Sequence, residues 1–267
     1  MNKRLVILKL GGSLITDKTK PYTARLDIIH NLAVQIKGAL DEDPDLQLII
    51  GNGSGSFAHY PASEYKMLEG IQNEKQKMGF CLVQDAAASL NRIIVSHLLK
   101  VGVAAVSVNP SSMIVSENGT ITTCFVDPFL GFIQQGLTPV FYGDIVYDLQ
   151  KGSAIFSTEK LINRFALELE KNMMPVSKII QNGVVKGVLD RDKNVIPRIT
   201  DDNFDSLKEF LYATDGFDVT GGMYHKLQES LSLARSGVKT MIINGAHKES
   251  LLKKALLDET VVGTVIG

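Results

Sequence analysis

The stretch Gly51-Asn52-Gly53-Ser54-Gly55-Ser56-Phe57-Ala58-His59-Tyr60 follows an apolar run, Leu46, Leu48, Ile49 and Ile50, broken only by Gln47. The run reads as a short buried strand. A strand that stops in glycines and small hydroxyl residues and then enters a helix makes a pocket for an anion. Glycines let the backbone turn tightly and bring N–H groups close to a ligand. The helix start adds unpaired N–H groups and the positive end of its dipole. His59, just past the glycines and near the expected helix start, has a ring N–H to offer a phosphate oxygen. The same residues also make a plain glycine-rich turn beside a solvated histidine, and this stretch alone does not separate the two readings.

An earlier unit has the same form. Leu5-Val6-Ile7-Leu8-Lys9-Leu10 is a strand apolar on both faces except at Lys9, followed by Gly11-Gly12-Ser13. Two apolar faces suit the middle of a parallel sheet covered by helices. A lysine at the end of such a strand is costly unless it meets an anion. A second lysine, Lys18, follows in Ile15-Thr16-Asp17-Lys18. The spacing of Ile28, Ile29, Leu32, Ala33, Ile36 and Leu40 predicts a helix over 26–40. The first sixty residues thus read strand, loop, helix, strand, glycine loop, helix, which implies a parallel sheet.

Beyond them, the patterns predict a helix over 80–99, a strand over 103–108, a hairpin over 114–123 turning at Asn118-Gly119, and a helix over 125–135 closed by Gly136. A buried strand over 138–144 ends in Gly143 and Asp144. Carboxylates at such strand ends face ligands in open α/β sheets, although capping the next turn is the competing role. A second hairpin is expected around Lys151-Gly152, then a helix over 158–169 and a strand over 176–180. Asp218-Val219-Thr220-Gly221-Gly222-Met223 precedes a helix over 224–236 with Lys226 in its first turn. A strand over 238–244, a helix over 249–257 and a strand over 261–266 complete the chain.

With 267 residues, 45% of them hydrophobic, the chain is long enough for a sizeable core in one domain of two lobes. Its net charge of −1 gives no electrostatic case for nucleic acid or an anionic membrane. Cys81 and Cys124 lie in no metal or redox spacing. No signal-peptide core and no run long enough for a bilayer is seen. A cytoplasmic protein is expected.

Three phosphate-friendly loops, Gly11-Gly12-Ser13, Gly53 to His59 and Thr220 to Gly222, thus lie at strand ends, accompanied by Lys9, Lys18 and Lys226, with Asp144 close by topology. Together with Tyr142-Gly143-Asp144, this pattern resembles the amino acid kinase family over nearly the whole chain. Within the family, the chain is most similar to the isopentenyl phosphate kinases, and the histidine after Gly55-Ser56-Phe57 is typical of them and of the related fosfomycin kinases.

The resemblance implies an α/β fold, a three-layer αβα sandwich with an open, mainly parallel sheet of about eight strands. Residues 1–175 would bind the phosphoryl acceptor and residues 176–267 the nucleotide. It implies ATP with Mg²⁺ as cofactors, a small-molecule monophosphate as substrate, and a homodimer. The catalytic residues would be Lys9, Lys18, His59, Lys226 and Asp144. Gly11, Gly12, Ser13, Gly55, Thr220, Gly222, Lys9 and Lys226 would hold the nucleotide. Ser54, Gly55, His59, Gly143 and Asp144 would hold the acceptor, with Phe80, Val83 and Ile94 lining an apolar extension. No protein metal ligand is expected. The chain departs from the family's usual pattern most in two places, and more mildly at Asn52, which replaces a small residue in the opening loop. Gln181-Asn182-Gly183-Val184-Val185-Lys186-Gly187 lacks the usual aspartates unless Asn182 replaces one, and Ser157-Thr158-Glu159-Lys160 stands where relatives carry Ser-Gly-Asp-Asp. The residues therefore leave open a kinase for a small phosphonate, or a kinase-fold binding protein without turnover.

Overall fold

In the computed structural model, which describes residues 3–214, 222–246 and 251–267, β1 (Arg4–Leu10) runs into the four-residue α1 (Gly12–Ile15). Then come α2 (Leu26–Glu42), β2 (Leu46–Asn52), α3 (Gly55–Glu64) and the long α4 (Glu74–Lys100). β3 (Ala105–Ser107) precedes a hairpin of β4 (Ile114–Glu117) and β5 (Thr120–Cys124), and α5 (Asp127–Gln134) leads to β6 (Thr138–Tyr142). β7 (Asp144–Asp148), β8 (Ala154–Phe156), α6 (Thr158–Lys171) and β9 (Val176–Gly183) follow. The chain ends with β10 (Arg198–Ile199), α7 (Asp201–Thr214), α8 (Gly222–Arg235), β11 (Lys239–Asn244), α9 (Leu251–Leu256) and β12 (Gly263–Ile266).

Eight strands form one sheet in the order β10-β12-β11-β9-β1-β2-β6-β3. Every pair in it is parallel except β11–β12. The period-2 alternation of β1 divides the core. Val6, Leu8 and Leu10 pack with α2, α4 and α9 on one face. Leu5 and Ile7 pack with α5 and α6 on the other. This is the three-layer αβα arrangement expected from the sequence.

A smaller sheet, β5-β4-β7-β8, flanks the large one. The β4–β5 turn places Asn118 at φ 49° and Gly119 at φ 75°, the double positive φ of a tight hairpin. The expected single strand over 138–144 is interrupted at Gly143, so β6 stays in the large sheet while β7 enters the small one. The expected helix over 80–99 begins earlier, because the Asn73 side chain accepts the Gln76 N–H and caps it. No helix among the described residues is long and apolar enough to cross a membrane.

Candidate active site

The parallel register brings the C-terminal ends of five strands to one level. Leu10 lies opposite Asn52 on β2 and Asn182 on β9. Asn52 lies opposite Tyr142, and Asn182 opposite Ile243. Gly11, Gly53, Gly143, Gly183 and Gly245 follow these positions, so the two N-terminal phosphate-friendly loops both open on this edge. Ligands of open α/β sheets bind at such an edge.

Lys9 is placed by strand alternation. It shares its face with Leu5 and Ile7, and therefore points toward α6. There its ammonium pairs with the Glu159 carboxylate, with both side chains mostly buried (14% and 17% exposed). A buried cation needs such a partner. The Ser157-Thr158-Glu159-Lys160 stretch thus keeps a carboxylate at the lysine despite its departure from the family pattern. The Ser157 hydroxyl accepts the Lys160 N–H and fixes the start of α6, which sets Glu159 in the helix's first turn.

Asn182 does not face Lys9. Its register with Leu10 puts it on the face opposite Lys9. Its side chain lies against Gly245, where an added Cβ would come within 2.2 Å of Asn182 Oδ1. It is fully buried, and neither amide atom has a hydrogen-bond partner among the described residues.

The two N-terminal glycine loops interlock backbone to backbone. A Cβ on Gly12 would lie 2.6 Å from Gly55 N, and one on Gly53 would lie 2.7 Å from Gly12 N. Gly55 sits at φ +52°, with room only for a hydrogen beside Thr16 Oγ1. Thr16 Oγ1 donates to Gly12 O (2.7 Å) and accepts the Ser56 N–H (3.0 Å). The Gly11 N–H is already given to Asn182 O (2.8 Å), so its amide serves the strand ends rather than a ligand. The first N–H groups of α1, from Gly12 and Ser13, have no acceptor within the helix.

The second loop is tied to its neighbours as well. Ser54 Oγ donates to Gly143 O (2.8 Å), and Gly143 N donates to Asn52 O (3.1 Å). Thr158 Oγ1 donates to the same Asn52 O (2.8 Å). Beneath them, buried Asn91 on α4 donates to Asn52 Oδ1 (3.0 Å) and accepts from Ser107 (2.6 Å). Thr158, Asn91 and Glu159 were not singled out by sequence reasoning as site residues. Only the departure at 157–160 pointed toward two of them.

His59 is exposed on the second turn of α3, and helical side chains lean back toward the N-terminus, here toward Gly55. Lys18 is exposed on a turn joined at its base by the Thr16–Ala24 bridge, next to the α3 start. Gly222 opens α8. Thr220 and the side chain of Lys226 lie outside the described residues.

Asp144 is 2% exposed. Its carboxylate accepts the backbone N–H groups of Ser111 and Ile145, each at 2.9 Å, and a hydrogen bond from the Ser111 side chain. It clasps the Pro110–Ser112 turn rather than a lysine. Burial dominates these hydrogen bonds and pushes its carboxyl from 3.8 up to about 6. Burial thereby favours the protonated acid in the folded state. The resulting stabilisation, about 3 kcal/mol, is present below pH 3.8 and lost as pH rises through about 6. Urea unfolding of wild type and Asp144→Ala between pH 3.5 and 8 is expected to give a stability gap that narrows with rising pH. A gap independent of pH would mean that the acid is not held protonated.

The apolar wall behind α3 is made of Ala58, Met67, Val83, Tyr142 and Ile145, with Phe80 packed against it. Ile94, expected beside Phe80 and Val83, instead belongs to the core between the large sheet and α2. It sits on the α4 stripe that faces the sheet centre, three turns beyond Val83.

The amino acid kinase family model matches residues 4–244. The chain is 37% identical to the isopentenyl phosphate kinase of Methanothermobacter thermautotrophicus and 34% identical to that of Methanocaldococcus jannaschii, in each case over 98% of both chains. A solved structure described as an isopentenyl phosphate kinase superposes with a TM-score of 0.80 at 32% identity, covering 98% of this chain and all of the other. The chain therefore belongs to the amino acid kinase family.

Proposed function

We propose that the protein transfers the γ-phosphoryl group of ATP to the phosphate of isopentenyl phosphate, or of a closely similar alkyl monophosphate, giving the diphosphate. An acceptor phosphate oxygen attacks the γ-phosphorus, and the bond from that phosphorus to the bridging oxygen breaks, leaving ADP. The observation that carries the reading is the interlocked pair of glycine loops with the Lys9–Glu159 pair at their foot. The relatives named as isopentenyl phosphate kinases support the acceptor's identity.

Two anions must approach in this reaction, so positioning and charge neutralisation carry the catalysis. His59 donates to the acceptor phosphate. Lys9, oriented by Glu159, and Lys226 meet the nucleotide's phosphates, and Lys18 meets the transferring group. The Gly12, Ser13 and Gly55 N–H groups complete the cradle. Residues 1–175 form the acceptor side and 176–267 the nucleotide side of a cytosolic homodimer. The described residues contain no group of three carboxylate, histidine or cysteine side chains able to hold a metal. Mg²⁺ would come with the nucleotide and would neutralise charge on its phosphates.

A coupled ADP-release assay over a panel of alkyl monophosphates and phosphonates tests the reading. Transfer to isopentenyl phosphate is expected at a kcat/KM well above that for fosfomycin, and no transfer to any alkyl monophosphate would sink it. Lys9→Met is expected to fold and to lose roughly 100-fold or more in kcat, because its charge acts on the transition state. An unchanged kcat would remove Lys9 from the mechanism.

A further inference from the structure

We propose that Tyr22 is a positioning residue that fastens the Lys18 turn to the start of the His59 helix. The inference rests on the phosphoryl-transfer reading above and adds to it a residue outside the glycine loops.

Tyr22 is not glycine, yet it sits at φ +50°. L side chains adopt that region only at an energetic cost, and for a bulky aromatic it is an outlier. Such a conformation persists where surrounding contacts over-determine it, and three contacts here do so. The Tyr22 ring stands edge-on to Phe57, with centroids 5.8 Å apart and planes at 81°, a favoured aromatic geometry. The Tyr22 N–H donates to Ser56 O (3.0 Å). The Thr23 N–H reaches Ser56 Oγ (3.3 Å).

All three contacts fall on Ser56 and Phe57, in the first turn of α3. Ser56 also donates its own N–H to Thr16 Oγ1 (3.0 Å), so both legs of the turn that carries Lys18 are bound to one point. The turn is closed at its base by the Asp17 N–H donating to Thr23 O (2.9 Å). Phe57 is 5% exposed and part of the main core, whereas Tyr22 is 54% exposed. The ring therefore contributes little as core and acts as a peg against a rigid wall. Two groups that the reaction brings together, His59 on the acceptor phosphate and Lys18 on the transferring phosphoryl group, are held in fixed relation through Ser56, Phe57 and Tyr22. Without the ring, the positive φ at residue 22 loses its main compensation and the turn relaxes away from α3.

The test compares Tyr22→Ala, Tyr22→Gly and Tyr22→Phe in the full-length enzyme. Tyr22→Phe keeps the ring and is expected to retain wild-type kcat. Tyr22→Gly accepts the positive φ but has no ring. It and Tyr22→Ala are expected to lose about 10- to 100-fold in kcat, the scale for sub-ångström to ångström misplacement of a catalytic group. KM for ATP and the melting temperature should stay near wild type. Limited trypsin digestion reads the anchoring without chemistry: the bond after Lys18 is expected to be cut several-fold faster in Tyr22→Gly than in wild type or Tyr22→Phe. Equal cutting rates, or an unchanged kcat in Tyr22→Ala, would overturn the proposal. So would a Tyr22→Phe enzyme as slow as Tyr22→Ala, since the hydroxyl would then be touching a ligand. A wild type that phosphorylates no alkyl monophosphate would defeat the functional reading, while the digestion would still decide the anchoring.

Discussion

His59→Ala is expected to melt at the wild-type temperature, to bind ATP normally, and to lose roughly 10- to 150-fold in kcat/KM for the acceptor. The fold should not suffer. His59 lies on the exposed face of α3, and surface substitutions of this kind usually stay within about 0.5 kcal/mol. The Ala58 and Phe57 side chains that seat the helix in the core are untouched. What the acceptor loses is one hydrogen bond to its charged phosphate, a class worth about 1.5–3 kcal/mol. That range gives the expected fold-change. His59→Gln, which keeps an N–H donor at similar reach, should recover part of it. Isothermal titration with ATP separates the two substrates: weakened nucleotide affinity in His59→Ala would place the histidine on the wrong side of the site. Wild-type turnover in a folded His59→Ala protein would remove it from acceptor binding altogether.

Why His59 and the glycine loops could be read from sequence, while other parts of the site could not, follows from the range of the forces involved. Lys9 at the end of an apolar strand was legible because a buried ammonium carries its own demand for an anion. That the demand is met by Glu159 depends on β1 alternation and on where α6 begins, 150 residues later. The Asn52–Asn91 pair is set by α4 crossing the end of β2 and has no local signature. Asn182 read locally as a substitute for a carboxylate. Its partner position on β1, Leu10 rather than Lys9, turns it to the other face of the sheet. The helical stripe of α4 was recognised, but its hydrophobic residues alone could not tell Val83, behind α3, from Ile94, under the sheet. The hairpins at 118–119 and 151–152 were legible from turn chemistry. The segment 198–214, a two-residue strand and a helix opening on Asp201 and Asp202, carries Phe204, Leu207 and Leu211 at helical spacing, a stripe that the sequence reading passed over. No element was expected there.

The other large effect is expected from a single methyl group. Gly12→Ala places a Cβ 2.6 Å from Gly55 N and 2.8 Å from Gly55 Cα. Both neighbours are backbone, so no side chain can swing aside. Gly55 itself has nowhere to go. It is held at φ +52° against Thr16, and its following residue donates to Thr16 Oγ1. The two loops must therefore separate by a few tenths of an ångström to an ångström, carrying α3 away from β1. Overpacking of this kind costs about 1–3 kcal/mol of stability, and an ångström-scale displacement of catalytic groups costs about 100-fold in rate. Loss of kcat by that factor, with a lowered urea midpoint, is the expected result. Gly131→Ala is the matched control. Its Cβ meets nothing within 4 Å, it lies within α5, and alanine there should be neutral or stabilising by about 0.5–1 kcal/mol. If Gly12→Ala behaves like Gly131→Ala in both stability and rate, the loops tolerate separation. Close backbone approach is then not what builds the phosphate cradle, and the side chains alone must carry the site.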